Sequence, residues 1–402
     1  MSDLKVLDDL CEFIVDCEHK TAPVQDEGYP SIRTPNIGKG RLILNGVNRV
    51  SKQTYIEWTK RAIPEAGDLI LAREAPVGNV AIVPDNLKVC LGQRTVLIRP
   101  SKEKVHSLYL TYFLLSDEMQ HRLLCRSNGS TVRHLNMKDI RGLEVPELPP
   151  LSTQKRIAEI LSNYDDLIEN NDRRIALLEE AVHRLYREWF VRLRFPGHES
   201  VAIVDGIPEK WRNATIKDFG QVITGKTPSK KKEQYFGGEI PFIKTPDMHG
   251  NIFIIETEDS LSYEGASTQR KQEIPADSIL VACIGAKSGV VAISSKKSHT
   301  NQQINSLIPN KLFYKLYCYY SLIHLKDHLR SIGSNGATMI NVNKKKFSNI
   351  PLLMPCEDVL EKFAGLANPR FDLILNLQRQ NQKLKEARDA LLPRLMSGAI
   401  EV

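Results

Sequence analysis

The sequence predicts an α+β molecule in which one unit is written twice. Two similar mixed domains are each followed by a long helix, and the helices pair as an antiparallel coiled coil that relates the halves by a pseudo-twofold internal repeat. Three observations carry this reading. The halves match in the same order at a shift of roughly 206 to 211 positions. Each half ends its globular part on a proline-rich stop, Val145-Pro146-Glu147-Leu148-Pro149-Pro150 and Ile350-Pro351-Leu352-Leu353-Met354-Pro355. After each stop comes a long pattern of apolar residues spaced by three and four.

The length agrees, because 402 residues exceed what one core usually serves. A hydrophobic content of 42% with 26% charged residues is that of a globular chain able to bury real cores. There is no run of about eighteen apolar residues, and the segment Met1–Asp16 carries more acid than base, unlike a signal peptide, so a cytoplasmic, non-membrane protein is expected. Seven cysteines without a C-x-x-C pair make neither a disulfide framework nor a zinc site and read as reduced core residues. The net charge of +7 fits a polyanionic partner without requiring one.

Taken in order, the first matched segment is Tyr29-Pro30-Ser31-Ile32-Arg33-Thr34-Pro35-Asn36-Ile37 against Ile240-Pro241-Phe242-Ile243-Lys244-Thr245-Pro246-Asp247-Met248, with a shared I-[RK]-T-P core. Gly67-Asp68-Leu69-Ile70-Leu71 then answers to Ala276-Asp277-Ser278-Ile279-Leu280, and Leu91-Gly92-Gln93-Arg94 to Thr300-Asn301-Gln302-Gln303. These are short strands and turns. Ser127-Asn128-Gly129-Ser130-Thr131 and Ser334-Asn335-Gly336-Ala337-Thr338 place an Asn-Gly turn signal at the same point of each half. In the first helix Ile157, Leu161, Tyr164, Ile168, Asn171, Ile175, Leu178, Val182, Leu185 and Trp189 form a seam, with Asn171 a polar residue able to fix register. The second helix reads as a weaker seam, Phe363, Leu366, Leu373, Leu377, Leu384, Ala387 and Leu391, interrupted by Arg370 and Gln380. Asn368-Pro369 reads as a cap and first-turn proline, so a break is expected there. A helix packed flat on its own domain is the competing arrangement, but the stripe is long for one small domain. The expected boundaries are a domain at 1–150, a helix at 151–192, a linker at 193–204, a domain at 205–356 and a helix at 357–398.

This layout resembles the specificity subunits of Type I restriction-modification systems over nearly the whole chain. The most specific residues are the helix start Leu151-Ser152-Thr153-Gln154-Lys155-Arg156-Ile157-Ala158-Glu159-Ile160-Leu161, and Gly225-Lys226-Thr227-Pro228 through Gly237-Gly238-Glu239-Ile240-Pro241-Phe242-Ile243. The first domain departs from the pattern, with His19-Lys20-Thr21-Ala22-Pro23 in place of G-K-T-P. The resemblance implies two target-recognition domains reading a split site in double-stranded DNA. It also implies a non-catalytic chain that recruits two modification (methyltransferase) subunits and two restriction (helicase-nuclease) subunits. S-adenosylmethionine, ATP and Mg would then be cofactors of those partners and not of this chain.

Two segments of the chain suggest rival chemistry. Gly220-Gln221-Val222-Ile223-Thr224-Gly225-Lys226-Thr227 satisfies the P-loop pattern, and a P-loop nucleotide hydrolase is the alternative from another class. A P-loop must open a helix, however, whereas Pro228 and Lys230-Lys231-Lys232 follow. Asn368-Pro369-Arg370-Phe371 departs from the N-P-P-F tetrad of adenine methyltransferases, and no nuclease or metal-ligand constellation is present. A stand-alone bipartite repressor remains a further reading. For DNA contact, Lys and Arg suit phosphate or guanine, and Asn and Gln suit adenine. The candidates are Arg33, Lys39, Arg41, Gln93 and Arg94 in the first domain, and Lys226, Lys230, Lys231, Lys244, Asn301, Gln302 and Gln303 in the second, with Lys232, Lys296, Lys297 and His299 beside them. Residues of these types are more often solvated surface groups; Lys244 and Arg33 are favoured because the repeat retains a cation there, and a buried side chain satisfying a turn would explain Gln93 and Gln302 equally well. A helix of roughly 30 to 38 residues spans on the order of 45 to 57 Å, which suits half-sites about one duplex turn apart.

Overall fold

The computed structural model describes residues 5–128, 133–285, 288–334 and 341–402, so Gly129–Thr131 and Asn335–Thr338 of the Asn-Gly signal lie outside the described residues. The chain divides into two compact units, residues 1–167 with 383–402, and residues 168–382.

In the first unit the strands of the two larger sheets are β1 (Cys11–Asp16), β2 (Tyr29–Ile32), β3 (Gly40–Arg41), β4 (Arg49–Val50), β5 (Leu69–Ala72), β6 (Val80–Ile82), β7 (Cys90–Leu91) and β8 (Thr95–Pro100). They form a five-stranded sheet of order β1-β8-β5-β6-β3 and a three-stranded sheet of order β4-β2-β7. In the second unit β9 (Gly220–Thr224), β10 (Phe236–Ile243), β11 (Phe253–Ile254), β12 (Asp259–Leu261), β13 (Ile279–Ala282), β14 (Val291–Ser294), β15 (His299–Thr300) and β16 (Ile304–Pro309) make sheets of order β9-β16-β13-β14-β11 and β12-β10-β15. Position by position the two topologies are the same. Even the parallel registers agree, Ile32 opposite Leu91 and Ile243 opposite Thr300.

The central strands β5 and β13 are apolar without alternation because both faces are covered. Leu69 and Leu71 face the core shared with helix α1 (Ser107–Leu115), and Ile70 and Ala72 face a second core with Ile32 and Val83. The aspartate before each strand has a structural task. Buried Asp68 holds Arg99 through two 2.8 Å hydrogen bonds, and Asp277 holds the ammonium of buried Lys315, at the start of α3 (Lys315–His324), at 2.8 Å. A hydrogen-bonded counter-ion offsets the desolvation cost that a lone buried charge would carry.

The two long helices are continuous, α2 (Leu151–Tyr186, prolonged by a wide turn over Arg187–Val191) and α4 (Glu357–Met396). Within the second unit they run antiparallel. Asn171 Nδ2 donates to Asn381 Oδ1 at 2.9 Å, and Tyr186 meets Phe363 edge-on. Asn381 in turn donates to Asp172 Oδ1 at 2.7 Å, which closes a buried amide pair. Within the first unit Ile157 and Leu161 share a core with Leu395, and Arg388 pairs with buried Asp165, which also accepts the Tyr112 hydroxyl at 2.6 Å. Every residue read into the α2 seam is buried or partly buried.

Two expectations for α4 are corrected. No break occurs at Pro369, since the helix runs through it. Phe363, Ala367, Phe371 and Ile374 are all buried, and their packing on both sides of the proline outweighs the roughly 3 kcal/mol a helix-interior proline costs. The seam also has a different phase. Leu366 and Leu373 are 43% and 37% exposed, whereas Ala367, Phe371, Ile374, Leu377 and Asn381 are inside. Arg370 and Gln380 therefore lie off the seam, and what sat at its centre was the polar Asn381. The cysteines are free, four of them buried, but Cys125 is exposed and is not a core residue. Trp189 and Trp211 pack in the core of the second unit.

Candidate nucleic-acid interface

The I-[RK]-T-P motif builds one turn twice. Thr34–Asn36 and Thr245–Met248 are short 3-10 helices with proline in the first turn, each closed by a side chain that accepts from the backbone N–H three residues earlier: Asn36 from Arg33 at 3.2 Å, Asp247 from Lys244 at 2.7 Å. Two other loops come to this turn in each unit, although they are far apart in sequence.

In the second unit the backbone of Gly225 and Lys226 is pinned on the 300–304 segment. Gly225 N–H donates to Ile304 O at 3.1 Å, and Lys226 N–H to Thr300 O at 2.9 Å. A Cβ on Gly225 would stand 2.2 Å from Asn301 O, so only glycine allows this approach. Thr227 then donates to Gln302 Oε1 at 2.7 Å, and Thr245 to Gln303 Oε1 at 3.1 Å. Lys226, Lys244 and Asn301–Gln303 are thus brought together. The first unit repeats the arrangement. Gly92 N–H donates to Ile32 O at 2.7 Å, as Asn301 N–H does to Ile243 O at 3.0 Å, and a Cβ on Gly92 would press to 2.4 Å from Arg33 Cγ. Gln93 Nε2 donates to His19 O at 3.2 Å and draws the 19–23 loop to the same place.

The candidates separate by their partners. Arg33, Lys226, Lys230 and Lys231 are exposed and, among the described residues, have no ion-pair partner. Gln302 is exposed, with its amide nitrogen left for a ligand once its oxygen has accepted from Thr227. Lys244 is held between Glu258 at 2.9 Å and Asp259 at 2.8 Å, hydrogen bonds that raise its pKa. Arg94 pairs with Glu74 at 3.0 Å, Lys297 with Glu273 at 2.9 Å, and Lys232 with the Tyr235 hydroxyl at 2.9 Å. Asn301 is buried and knits the turn by bonding Gln303, whose backbone N–H it accepts at 3.1 Å. Buried His299 meets Gln269 at 3.4 Å, and burial pushes its pKa down. Exposed Lys296 lies beside the turn in sequence. Lys39 and Arg41 belong to β3 and its approach, where Arg41 pairs with Asp166 of α2 and exposed Lys39 lines a cavity with Tyr112 and Arg388. Exposed Lys20 was missed, although its Lys-Thr dipeptide matches Lys226-Thr227.

The loop after β9 is no nucleotide cradle. A P-loop presents free backbone N–H groups to phosphate at a helix N-terminus. Here the Gly225 and Lys226 amides are spent on carbonyls, and the chain continues as a loop to the short turn Glu233–Tyr235. Asp16, Cys17 and His19 bring donor atoms within 4.8 Å of one another, but Arg73 already neutralises Asp16 at 2.6 Å, and burial pushes the Cys17 thiol up. No helix among the described residues is long and apolar enough to cross a membrane.

Residues 3–180 and 208–358 match the family described as Type I restriction modification DNA specificity domain. The chain is 30% identical over 406 residues to the specificity subunit of Type I restriction enzyme HindI from Haemophilus influenzae, covering 85% of this chain and 88% of that one. It is 28% identical over 369 residues to the MjaIX specificity subunit of Methanocaldococcus jannaschii, covering 90% and 83%. The solved S subunit of a Type I restriction-modification system from M. genitalium shares the fold, with a TM-score of 0.59 at 14% identity over 98% of this chain and 97% of that one. A scaffold duplicated strand for strand and a family match spanning both halves lead to one conclusion: this chain belongs to the Type I restriction-modification DNA specificity family.

Proposed function

We propose that the chain is the non-catalytic DNA-reading subunit of a Type I restriction-modification complex, in which each target-recognition domain reads one half of a bipartite double-stranded site. The observation that carries this is the same three-loop cluster built twice, with Lys20 and Arg33 exposed on one copy and Lys226 and Gln302 exposed on the other. Arg33 and Lys20 in one domain, and Lys226, Lys230 and Lys231 in the other, supply positive charge for phosphates. Gln302 and Gln93 have the donor and acceptor geometry for adenine. Lys244, Asn301 and Gln303 shape the loops of this surface, and Arg94 would exchange Glu74 for DNA, whereas Lys39 and Arg41, on the side of β3 that meets α2, would contact DNA only as a separate flank. Methylation and cleavage belong to partners, two modification and two restriction subunits, which bring S-adenosylmethionine, ATP and Mg.

The test uses the chain assembled with its modification subunits. Lys226→Ala should weaken DNA binding on every sequence and lower the slope of log affinity against log salt by about 0.9, the signature of one phosphate contact. Calorimetry with ATP should show no binding to the chain before or after the substitution. Micromolar ATP binding lost in Lys226→Ala, with DNA affinity unchanged, would establish the nucleotide reading instead.

A further inference from the structure

Away from the loop clusters, α2 and α3 meet in the second unit through a pair of histidines. His183 Nε2 and His324 Nε2 face each other at 3.4 Å, with ring centroids 5.2 Å apart and planes inclined by 54°. The pair is built by its surroundings. His183 stacks on Tyr320 at 5.4 Å and 6°, and His324 packs on Tyr186 at 5.2 Å. Tyr320 is fixed by a hydrogen bond from its hydroxyl to Glu179 O at 3.1 Å, and Tyr186 by one with Ser321 at 3.0 Å.

The tautomers follow from the partners. His324 Nδ1 lies 2.9 Å from Tyr320 O, a carbonyl that can only accept, so Nδ1 carries the proton and Nε2 of the neutral ring is a lone pair. That nitrogen lies 3.4 Å from His183 Nε2. Among the described residues His183 Nδ1 has no carbonyl partner, and it lies 3.9 Å from the Glu180 carboxylate. A carbonyl accepting from the far nitrogen is the support that metal-binding histidines almost always have. Two imidazole nitrogens bound at about 2.0 to 2.1 Å to one tetrahedral ion stand about 3.3 to 3.4 Å apart. The observed separation is that distance.

We propose that His183 and His324 form a two-imidazole site for a borderline divalent transition-metal ion of the Zn²⁺, Ni²⁺ or Cu²⁺ class, clipping α2 to α3. Imidazole selects this class over Mg²⁺ or Ca²⁺, and His324 is exposed, so water completes the coordination. The charged neighbours of His183 are Glu180, whose carboxylate is 3.9 Å from Nδ1 and occupied by Arg184, and Arg187.

Ni²⁺ is the probe, and the full chain is the sample. Because the chain has ten histidines, the comparison is between the wild type and His183→Gln and His324→Gln. Each substitution should weaken the tightest Ni²⁺ binding in calorimetry by at least the roughly 10- to 100-fold that losing even a supporting group costs. It should also abolish most of the rise in melting temperature that Ni²⁺ gives the wild type. Without any substitution, Ni²⁺ should protect both imidazoles of the wild type from diethyl pyrocarbonate, read by mass spectrometry. Equal Ni²⁺ affinity in all three proteins, or modification of His183 and His324 unchanged by Ni²⁺, would show that the pair is a histidine–histidine hydrogen bond and overturn the proposal.

Discussion

Lys226 and Lys20 stand at the same point of the two halves, each beside the turn that follows the short parallel strand. Gln302 and Gln93 stand on that turn. A domain that reads its own half-site makes a local prediction: Gln302→Ala should relax discrimination at the half read by the second domain only, by about 1 to 3 kcal/mol for each lost base contact. Affinities measured for duplexes altered in one half at a time check this, and equal loss at both halves would contradict it. Much of this surface could be read from the sequence because its turns have hard local rules. Thr-Pro followed by Asn or Asp writes the same capped turn in both halves, and Gly225 and Gly92 mark close backbone approaches. Pairing could not be read. Nothing local says that Lys244 is held by Glu258 and Asp259, or that Asn301 is turned inward, because those partners lie 14 residues away or across a turn whose folding decides the direction. Lys20 escaped notice because its loop lacks the glycine of its counterpart.

At the scale of an element, Asn171 announced a polar site in the α2 seam, but its partner was hidden. The α4 stripe reads three-four-three from Phe363, whereas the helix takes two successive steps of four, to Ala367 and Phe371, which moves the positions at 366, 370 and 373 off the seam until the two patterns meet again at Leu377. Alanine at 367 carries little hydrophobic signal, and exposed Leu366 carries a strong one, so the stronger residues set the wrong phase. The amide pair makes a prediction of its own. Asn381→Ala leaves the Asn171 amide buried without a partner and should cost about 1 to 3 kcal/mol. The double change Asn171→Leu with Asn381→Leu should cost less than the single one. Urea midpoints of the three proteins measure this, and a double variant weaker than the single would refute the pairing argument. Pro369→Ala is expected to act in the other direction. It restores an N–H to a helix held by packing alone and should stabilise the chain by up to about 3 kcal/mol, seen as a higher melting temperature. A fall in melting temperature would mean that the packing depends on the proline.

For the molecule as a whole, duplication was the most legible feature, since a repeat needs only order and spacing. The sheets it encodes were less so. Their neighbours are rarely consecutive in the chain, as with β1 against β8 and β2 against β7, and such pairing is decided by tertiary burial that no window of sequence contains. On the proposed reading, two copies of one scaffold, carrying different side chains at most loop positions, address a target in two unlike halves. The measurement that tests this most directly is the map of methylated adenines in a genome that encodes this chain with its partners, compared with the same strain lacking only this gene. The account predicts that removing the gene erases methylation at one motif, split by unspecified bases and different in its two halves. A continuous short motif, or a perfect palindrome, as the only site that depends on the gene would contradict it.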